Sequence, residues 1–477
     1  MVKTMKNISI WNDTVSKKKY NKLVKNITTD VLIVGGGITG ISTGYFFKDS
    51  NLDVVLVEQN RLGKAVTGNS TGKLSYLQND LLTKIDKCCG GEILEKYIKS
   101  QRDAINWVVS IINDENINCD LRKVNSYIYS NQESDISKLK NLERILSNMG
   151  ISVLHDKINY VQYKYCFGAQ DTYLFHPLKF VQELAERGNF RIYENTSIKK
   201  IDKENDYYLC YTDRCVIKAK YVVIASHYPY FNLPFLFPIK ASLEKSYLSA
   251  SKMKCEDVSL ISYSNPFVSI RNYQDYIIYL SNSHNVTSDV NDGKHFDELL
   301  KKVNDLKISP SYLWSNIDVM TNDGLPYVGE IQDRMYIGTG YNTWGLANGV
   351  MAGKILSDSI LKRDNEYREL FSPKRINISQ VSGIFVDSIK SIQGYVNGYL
   401  DKNENVIYRK EDGKDIMIYK DGSKEYKVYQ HCPHLGCKLI FNDVEKTWDC
   451  PCHGSRFSLN GKCISGPSNT DISIKQD

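Results

Sequence analysis

The sequence predicts an α/β dinucleotide-binding domain of the Rossmann type at the front of the chain and a small all-β domain at its end. Three observations carry this. A glycine fingerprint, Gly35-x-Gly37-x-x-Gly40, lies between two apolar β-branched runs. A second glycine-rich turn, Gly340 to Gly349, follows another apolar run far downstream. The C-terminal stretch strings short β-rich pieces around two loops that each hold cysteine and histidine.

With 477 residues the chain is long enough for two or three domains. Hydrophobic and charged fractions of 42% and 24% are those of an ordinary soluble protein. The net charge of +6 is modest, and residues 401–477 carry twelve basic and twelve acidic side chains. No nucleic-acid partner is predicted, and the Lys17–Lys19 run reads as a solvated face. No run of eighteen apolar residues occurs, so no transmembrane segment is predicted. The opening residues lack an apolar export core and a twin-arginine pair, so a cytoplasmic location is expected. Of the 12 cysteines, Cys88, Cys89, Cys119, Cys166, Cys210, Cys215 and Cys255 are scattered without metal spacing and read as ordinary thiols.

In the run DVLIVGGGITG, Gly35 permits a tight turn, Gly37 lets the backbone approach a pyrophosphate, and Gly40 allows the following helix to pack on the strand. Ile38 and Thr39 open that helix. The next run, LDVVLVE, ends at Glu58, placed to accept hydrogen bonds from ribose hydroxyls. FAD and NAD share this fingerprint, so it does not choose between them. Gln59 and Arg61 follow, then the hydroxyl-rich segment Thr67, Gly68, Asn69, Ser70 and Thr71. That segment either turns backbone N–H groups toward phosphates and a flavin edge or is a plain polar loop. Downstream, the strand MYIGTG leads to Gly340, Trp344, Gly345 and Leu346. Here a second helix N-terminus can face a flavin ring or ribityl chain.

At the other end the chain reads Cys432-Pro-His434-Leu-Gly-Cys437 and Cys450-Pro-Cys452-His453-Gly-Ser455. Two thiolates and two imidazoles can hold the two irons of a [2Fe–2S] cluster. Structural zinc uses the same ligand types, but zinc fingers pair Cys with Cys and His with His, whereas each loop here supplies one of each. The pieces VIYRK, DIMIYK, KEYKVYQ, KLIFN, TWDC, RFSL and KCIS, separated by turn residues, predict strands, with Asn460-Gly461 as a hairpin turn. Between the two ends, residues 373–400 space apolar residues like an amphipathic linker helix.

The strings CPHLGC and CPCHGSRF resemble the two cluster-binding loops of Rieske proteins. The front segments resemble the FAD-binding parts of flavoproteins of the glycine oxidase and D-amino-acid oxidase type. So do Phe175-His176-Pro177 opening a helix, the strand RIYENTSIKKI with Ile198, and YVVIASH with Ala225 and Ser226 near the adenine half. The whole order is similar to bacterial FAD-dependent oxidoreductase–Rieske fusions. The resemblance implies an α/β FAD-binding Rossmann-like domain with an inserted mixed α+β substrate domain, followed by a small all-β Rieske domain. Its boundaries are an N-terminal extension at 1–27, the oxidoreductase at 28–372, a linker helix at 373–400 and the Rieske domain at 401–477. FAD and a [2Fe–2S] cluster are the implied cofactors, with Cys432, His434, Cys450 and His453 as metal ligands. By the same resemblance Cys437 and Cys452 form a disulfide, and Gly466-Pro467 belongs to a loop covering the cluster.

The implied activity is oxidation of an amine or amino-acid-like substrate at FAD. Electrons then pass singly through the cluster to an acceptor protein or a quinone-like acceptor. The alternative is an electron-transfer protein charged by a redox partner, without an organic substrate. A nicotinamide-fed reductase would need a second dinucleotide fingerprint, and none is found. A Rieske oxygenase would need two histidines and a carboxylate on a mononuclear iron. His155, His176, His227, His284 and His295 show no such pairing. Relatives of the oxidase type often pair the substrate carboxylate with an arginine, and Arg271 on a strand of the substrate domain is the candidate, against a plain strand-surface ion pair. Tyr247 and Tyr273 are weaker candidates among 33 tyrosines. His227 reads as backbone support near the cofactor, and Trp344 as either a flavin-face or a core residue.

Ser455 stands where Rieske proteins place a hydroxyl that donates to a bridging sulfide. Phe457 stands where high-potential members carry a donating tyrosine. The expected potential is therefore intermediate. A redox titration of Phe457→Tyr is expected to show a higher midpoint than the parent, and an unchanged midpoint would remove the argument.

Overall fold

The computed structural model describes residues 5–16, 18–228, 241–288, 292–375 and 403–474. The apolar runs of the front end form the parallel centre of an eight-stranded sheet. Ile27–Val34 is flanked by Val54–Val57 and Val216–Ile224, all parallel, with Met335–Thr339 parallel beyond the last of these. Val54–Val57 is buried throughout, as expected for a strand covered on both faces. Arg191–Tyr193 closes one edge. The expected single strand RIYENTSIKKI divides there and resumes at Lys200–Glu204. Between the two, Glu194 turns inward and accepts from the Leu62 N–H at 2.9 Å while pairing with Arg61 at 2.6 Å. Satisfying those groups takes precedence over continued pairing.

The helix Ile38–Phe46 packs over this sheet against Gly345–Ile360, so the two glycine-rich turns open side by side. Gly40 shows why the third fingerprint position is fixed: a Cβ there would sit 1.9 Å from the Gly35 carbonyl oxygen.

A nine-stranded sheet, mostly antiparallel, is the inserted domain. Its edge strand Pro310–Thr321 and the neighbouring Ala241–Lys252 pair along their length from Ala241↔Thr321 to Ser251↔Pro310. Side chains alternate across them. Glu244, Ser246 and Leu248, with Asn316, Asp318 and Met320, line a cavity against the front domain. Leu243, Lys245, Ser315 and Ile317 face the other way, onto the C-terminal domain.

That domain consists of a three-stranded and a four-stranded antiparallel sheet. Every one of the seven expected β pieces forms a strand, from Val406–Glu411 to Cys463–Ser465. Asp412 and Gly413 both have positive φ, 46° and 75°, the conformation a two-residue hairpin demands. Apart from its first three residues, the expected linker helix at 373–400 lies outside the described residues. Arg375 binds Asp323 at 2.8 and 3.0 Å. The expected N-terminal extension is woven into the fold: in the helix Ile10–Thr14, the Trp11 indole donates to the Ser70 carbonyl at 2.7 Å. Among the described residues no helix is long and apolar enough to cross a membrane.

A buried charge network joins the C-terminal domain to the mixed sheet. Lys245 Nζ lies 2.6 Å from Asp292 and 3.1 Å from Asp449. Arg456 reaches Asp449 at 3.2 Å, Glu445 at 2.7 Å and the Ser315 hydroxyl at 3.2 Å. Removing one partner of a buried ion pair costs about 3–5 kcal/mol because the other is left unpaired. Lys245→Met is therefore expected to lose about that much in denaturant unfolding, and a loss near zero would show that the network contributes nothing to docking.

Candidate functional site

A cavity of ≈ 380 Å³ lies between the glycine turns and the front of the mixed sheet. Gly35 is held at φ +115°, and a Cβ there would meet the Ala225 carbonyl at 2.5 Å. At Gly37 a Cβ would approach only the Thr67 hydroxyl, at 3.4 Å, so its backbone opens onto the cavity. Ile38 and Thr39 continue this rim, and the Ile38 N–H donates to Thr67 Oγ1 at 3.1 Å. Glu58 lines the wall but already accepts from the N–H groups of Gly36 and Asn60, at 2.8 and 2.7 Å. Burial raises its pKa.

Gln59 and Arg61 line the cavity beside it, as do Thr67, Asn69, Ser70 and Thr71. Ile198, Ala225 and Ser226 close the same end. At the second turn Trp344, Gly345 and Leu346 line it, with the Trp344 indole 3.4 Å from Asn79 Oδ1. Three of the expected contact residues stand behind the wall instead. Gly40 packs on Gly35, Gly68 turns its carbonyl to the Ser9 hydroxyl, and Gly340 faces Thr321. They shape the cavity without lining it. An open Gly37 backbone and two helix N-termini facing one cavity suit the phosphates and ring of a flavin dinucleotide.

The expectation for Arg271 is corrected. Its side chain is 1% exposed and does not line the cavity. The guanidinium donates to the carbonyls of Thr71, Gly72, Phe175 and Asn272 and packs 5.2 Å from the Trp11 ring. It serves as a strut under the Thr67–Thr71 segment. Tyr247 and Tyr273 likewise point elsewhere, to Asp292 and Asp120. His227 lines the cavity at φ 65°, with Nε2 2.9 Å from the Ile317 carbonyl. Burial lowers its pKa to about 4, so the ring is neutral.

Residues not singled out in the sequence furnish the rest. Lys73 lines the cavity and donates to the Leu260 carbonyl at 2.6 Å and the Ser269 hydroxyl at 2.8 Å. Burial holds its pKa well below the ordinary value. Glu244 and Asp318 stand opposite each other on their strands. Burial, then the Glu244 charge, pushes Asp318 up to about 7. Their alternation along two strands was the available signal. Ile464 and Ser465 of the C-terminal domain complete the wall together with Gly466, the residue expected in the loop over the cluster, and Gln59 Nε2 donates to the Ile464 carbonyl at 3.2 Å.

The second centre lies behind the mixed sheet. The Cys432 and Cys450 thiols are hydrogen-bonding neighbours. The N–H groups of His434 and Leu435 point at the Cys432 sulfur, and those of Cys452 and His453 at the Cys450 sulfur. The rings of His434 and His453 stand 5.0 Å apart at 87°. Nδ1 of each is buried without a hydrogen-bond partner among the described residues. Two thiols and two orphaned imidazole nitrogens converging in this way fit a [2Fe–2S] cluster. Sulfurs of Cys437, Cys450 and Cys452 also lie within 4.8 Å of one another. Cys437 and Cys452, however, are joined as a disulfide, which leaves them no lone thiolate to offer. Ser455 is fully buried beside Cys432, and its hydroxyl accepts from the Ser468 N–H at 3.1 Å. Phe457 packs in the domain core opposite Trp448.

Comparison with known proteins agrees with this geometry. Residues 30–359 match the family model described as FAD dependent oxidoreductase, and residues 397–475 match the Rieske [2Fe-2S] domain. A Bacillus subtilis protein described as a Rieske 2Fe-2S iron-sulfur protein, YhfW, is 27% identical over 96% of this chain and 95% of its own length. The cytochrome b6-f complex iron-sulfur subunit of Nostoc punctiforme is 36% identical over 12% of this chain and 33% of that protein. Among solved structures, L-amino acid deaminase from Proteus vulgaris gives a TM-score of 0.61 at 14% identity. That match covers 76% of this chain and all of the other. Glycine oxidase from Geobacillus kaustophilus gives 0.61 at 16% identity, covering 73% and 99%.

The raised pKa of Asp318 has a stability consequence. Between the ordinary carboxylate value, about 4, and about 7, the folded protein keeps a proton that the unfolded chain has lost. Stability therefore falls as pH rises through that window. Asp318→Asn is expected to melt a few degrees above the parent at pH 8, with the advantage shrinking toward pH 5. A constant offset in calorimetric scans would contradict it.

Proposed function

The chain belongs to the FAD-dependent oxidoreductase family and carries a Rieske [2Fe–2S] domain, and we propose that it oxidises an amine or amino-acid-like substrate in the front cavity and delivers the electrons through its C-terminal domain to a one-electron acceptor. When bound, FAD takes a hydride and the cluster takes electrons one at a time. An amine becoming an imine gives up that hydride and one proton, and the two electrons of the hydride then reach the acceptor in single steps. The acceptor is either a redox protein or a quinone-like molecule.

One observation carries the reading: the two sites lie back to back across a single sheet. Asn316 and Asp318 line the cavity, while Ile317 between them faces the cluster loop, where a Cβ on Gly454 would lie 3.6 Å from its Cδ1. A small cavity on that side is lined by Lys245, Val286 and Ile317 together with Cys450, Pro451 and Gly454. His227 binds the Ile317 carbonyl from the cavity side. The buried ions of Lys245, Asp449 and Arg456 hold this arrangement in place. His227, a neutral imidazole, and Lys73 line the same cavity as this wall's acids.

The purified oxidised protein, mixed without oxygen with a panel of amines and amino acids, tests the proposal. Bleaching of the flavin band together with growth of the reduced-cluster EPR signal is expected. Silence across the panel would instead favour a carrier charged by another redox protein.

A further inference from the structure

The Glu244–Asp318 pair belongs to the mixed sheet, not to the glycine turns or the Cys–His loops. The two residues are direct cross-strand partners and both face the cavity. That placement sets their Cβ atoms about 4.5–5.5 Å apart, where like charges oppose each other. Asp318 is 8% exposed. Its Oδ2 accepts from Asn316 Nδ2 at 3.0 Å, and its other oxygen holds no hydrogen bond among the described residues. Glu244 is hydrogen-bonded by the Ser283 hydroxyl and feels the charges of Asp80 and, more weakly, Lys84. Asp80, at the start of the helix Leu81–Cys89, adds a third carboxyl to the lining.

The described cations lining the cavity are already committed to protein partners. Lys84 Nζ donates to the Thr321 carbonyl at 2.7 Å, Arg61 pairs with Glu194 at 2.6 Å, and Lys73 is taken up by Leu260 and Ser269. Arg271 does not reach the cavity. The unspent capacity is therefore for accepting hydrogen bonds and positive charge. Leu248, Leu280 and Ile261 make the floor between the acids and Lys73 apolar.

We propose that the Glu244–Asp318 pair binds the ammonium group of the substrate, so that the ligand class is a cationic amine on an aliphatic stem rather than an amino acid recognised by its carboxylate. Uncompensated buried carboxylates are costly to ionise, and a bound ammonium removes that cost. A carboxylate entering the same space would meet two acids and bring no such compensation. This rests on the reading of the cavity as an amine-oxidising site, and deepens it.

Equilibrium titration of the oxygen-free holoprotein with n-butylamine, 1,4-diaminobutane, 4-aminobutyrate and butyrate, followed by flavin absorbance and calorimetry, provides the test. The parent is expected to bind both amines and to exclude butyrate. Glu244→Gln and Asp318→Asn are each expected to weaken amine binding at least tenfold while keeping flavin content and the cluster EPR spectrum. Butyrate binding tighter than butylamine, unchanged amine affinity in both variants, or no amine binding by the parent would overturn the assignment. Amines that bind without bleaching the flavin would support the pair's role and remove the oxidation reading. Amino acids that bleach it without any amine binding would do the reverse.

Discussion

The two-residue repeat of a β-strand is the constraint on which the rest of this molecule depends. Ala241–Lys252 and Pro310–Thr321 form one wall with two functional faces. Odd positions Leu243, Lys245, Ser315 and Ile317 receive the C-terminal domain, and even positions Glu244, Ser246, Asn316 and Asp318 line the cavity. A slip of one residue in either strand would exchange the faces. Lys245 would then enter the cavity, and the carboxylates would press against a domain already rich in buried acid. The long, nearly unbroken pairing of these strands is what prevents it.

Two aspartates on opposite sides of that wall show how context governs charge. Asp449 is buried, yet Arg456 and Lys245 hold its carboxyl far below the usual range against the cost of desolvation. Asp318, equally enclosed, has Glu244 and an amide for company, and its pKa climbs. Buried charge is tolerable where the opposite charge is built in, and it becomes a receptor where none is supplied. The docking face is thus self-satisfied and the cavity face is left wanting a cation.

Much of this was legible in the chain. The glycine fingerprint, the second glycine turn and the Cys-His loops carry their own spacing, so the front sheet, the paired helix N-termini and the seven small strands follow from local pattern. Gly40 and Gly68 show the limit of that reading: a motif marks where backbone must pass, but not which residue ends up in the lining. Arg271 shows another. Nothing local distinguishes a guanidinium free for a ligand from one committed to four carbonyls drawn from Thr71, Gly72, Phe175 and Asn272. The Glu244–Asp318 encounter depends on register between distant strands, and the role of Trp11 depends on the N-terminal segment returning to the Ser70 loop.

The cavity wall borrows Ile464, Ser465 and Gly466 from the last part of the chain, and Asn60 and Gln59 reach across to the carbonyls of Cys463 and Ile464. Occupancy of the cavity and seating of the C-terminal domain are therefore linked equilibria, each favouring the other by the same free energy. During synthesis the front half emerges first with this wall still open, which leaves an entrance for a large dinucleotide. Seating of the tail supplies that last part of the wall, so the cavity is complete only when the iron-sulfur domain is docked.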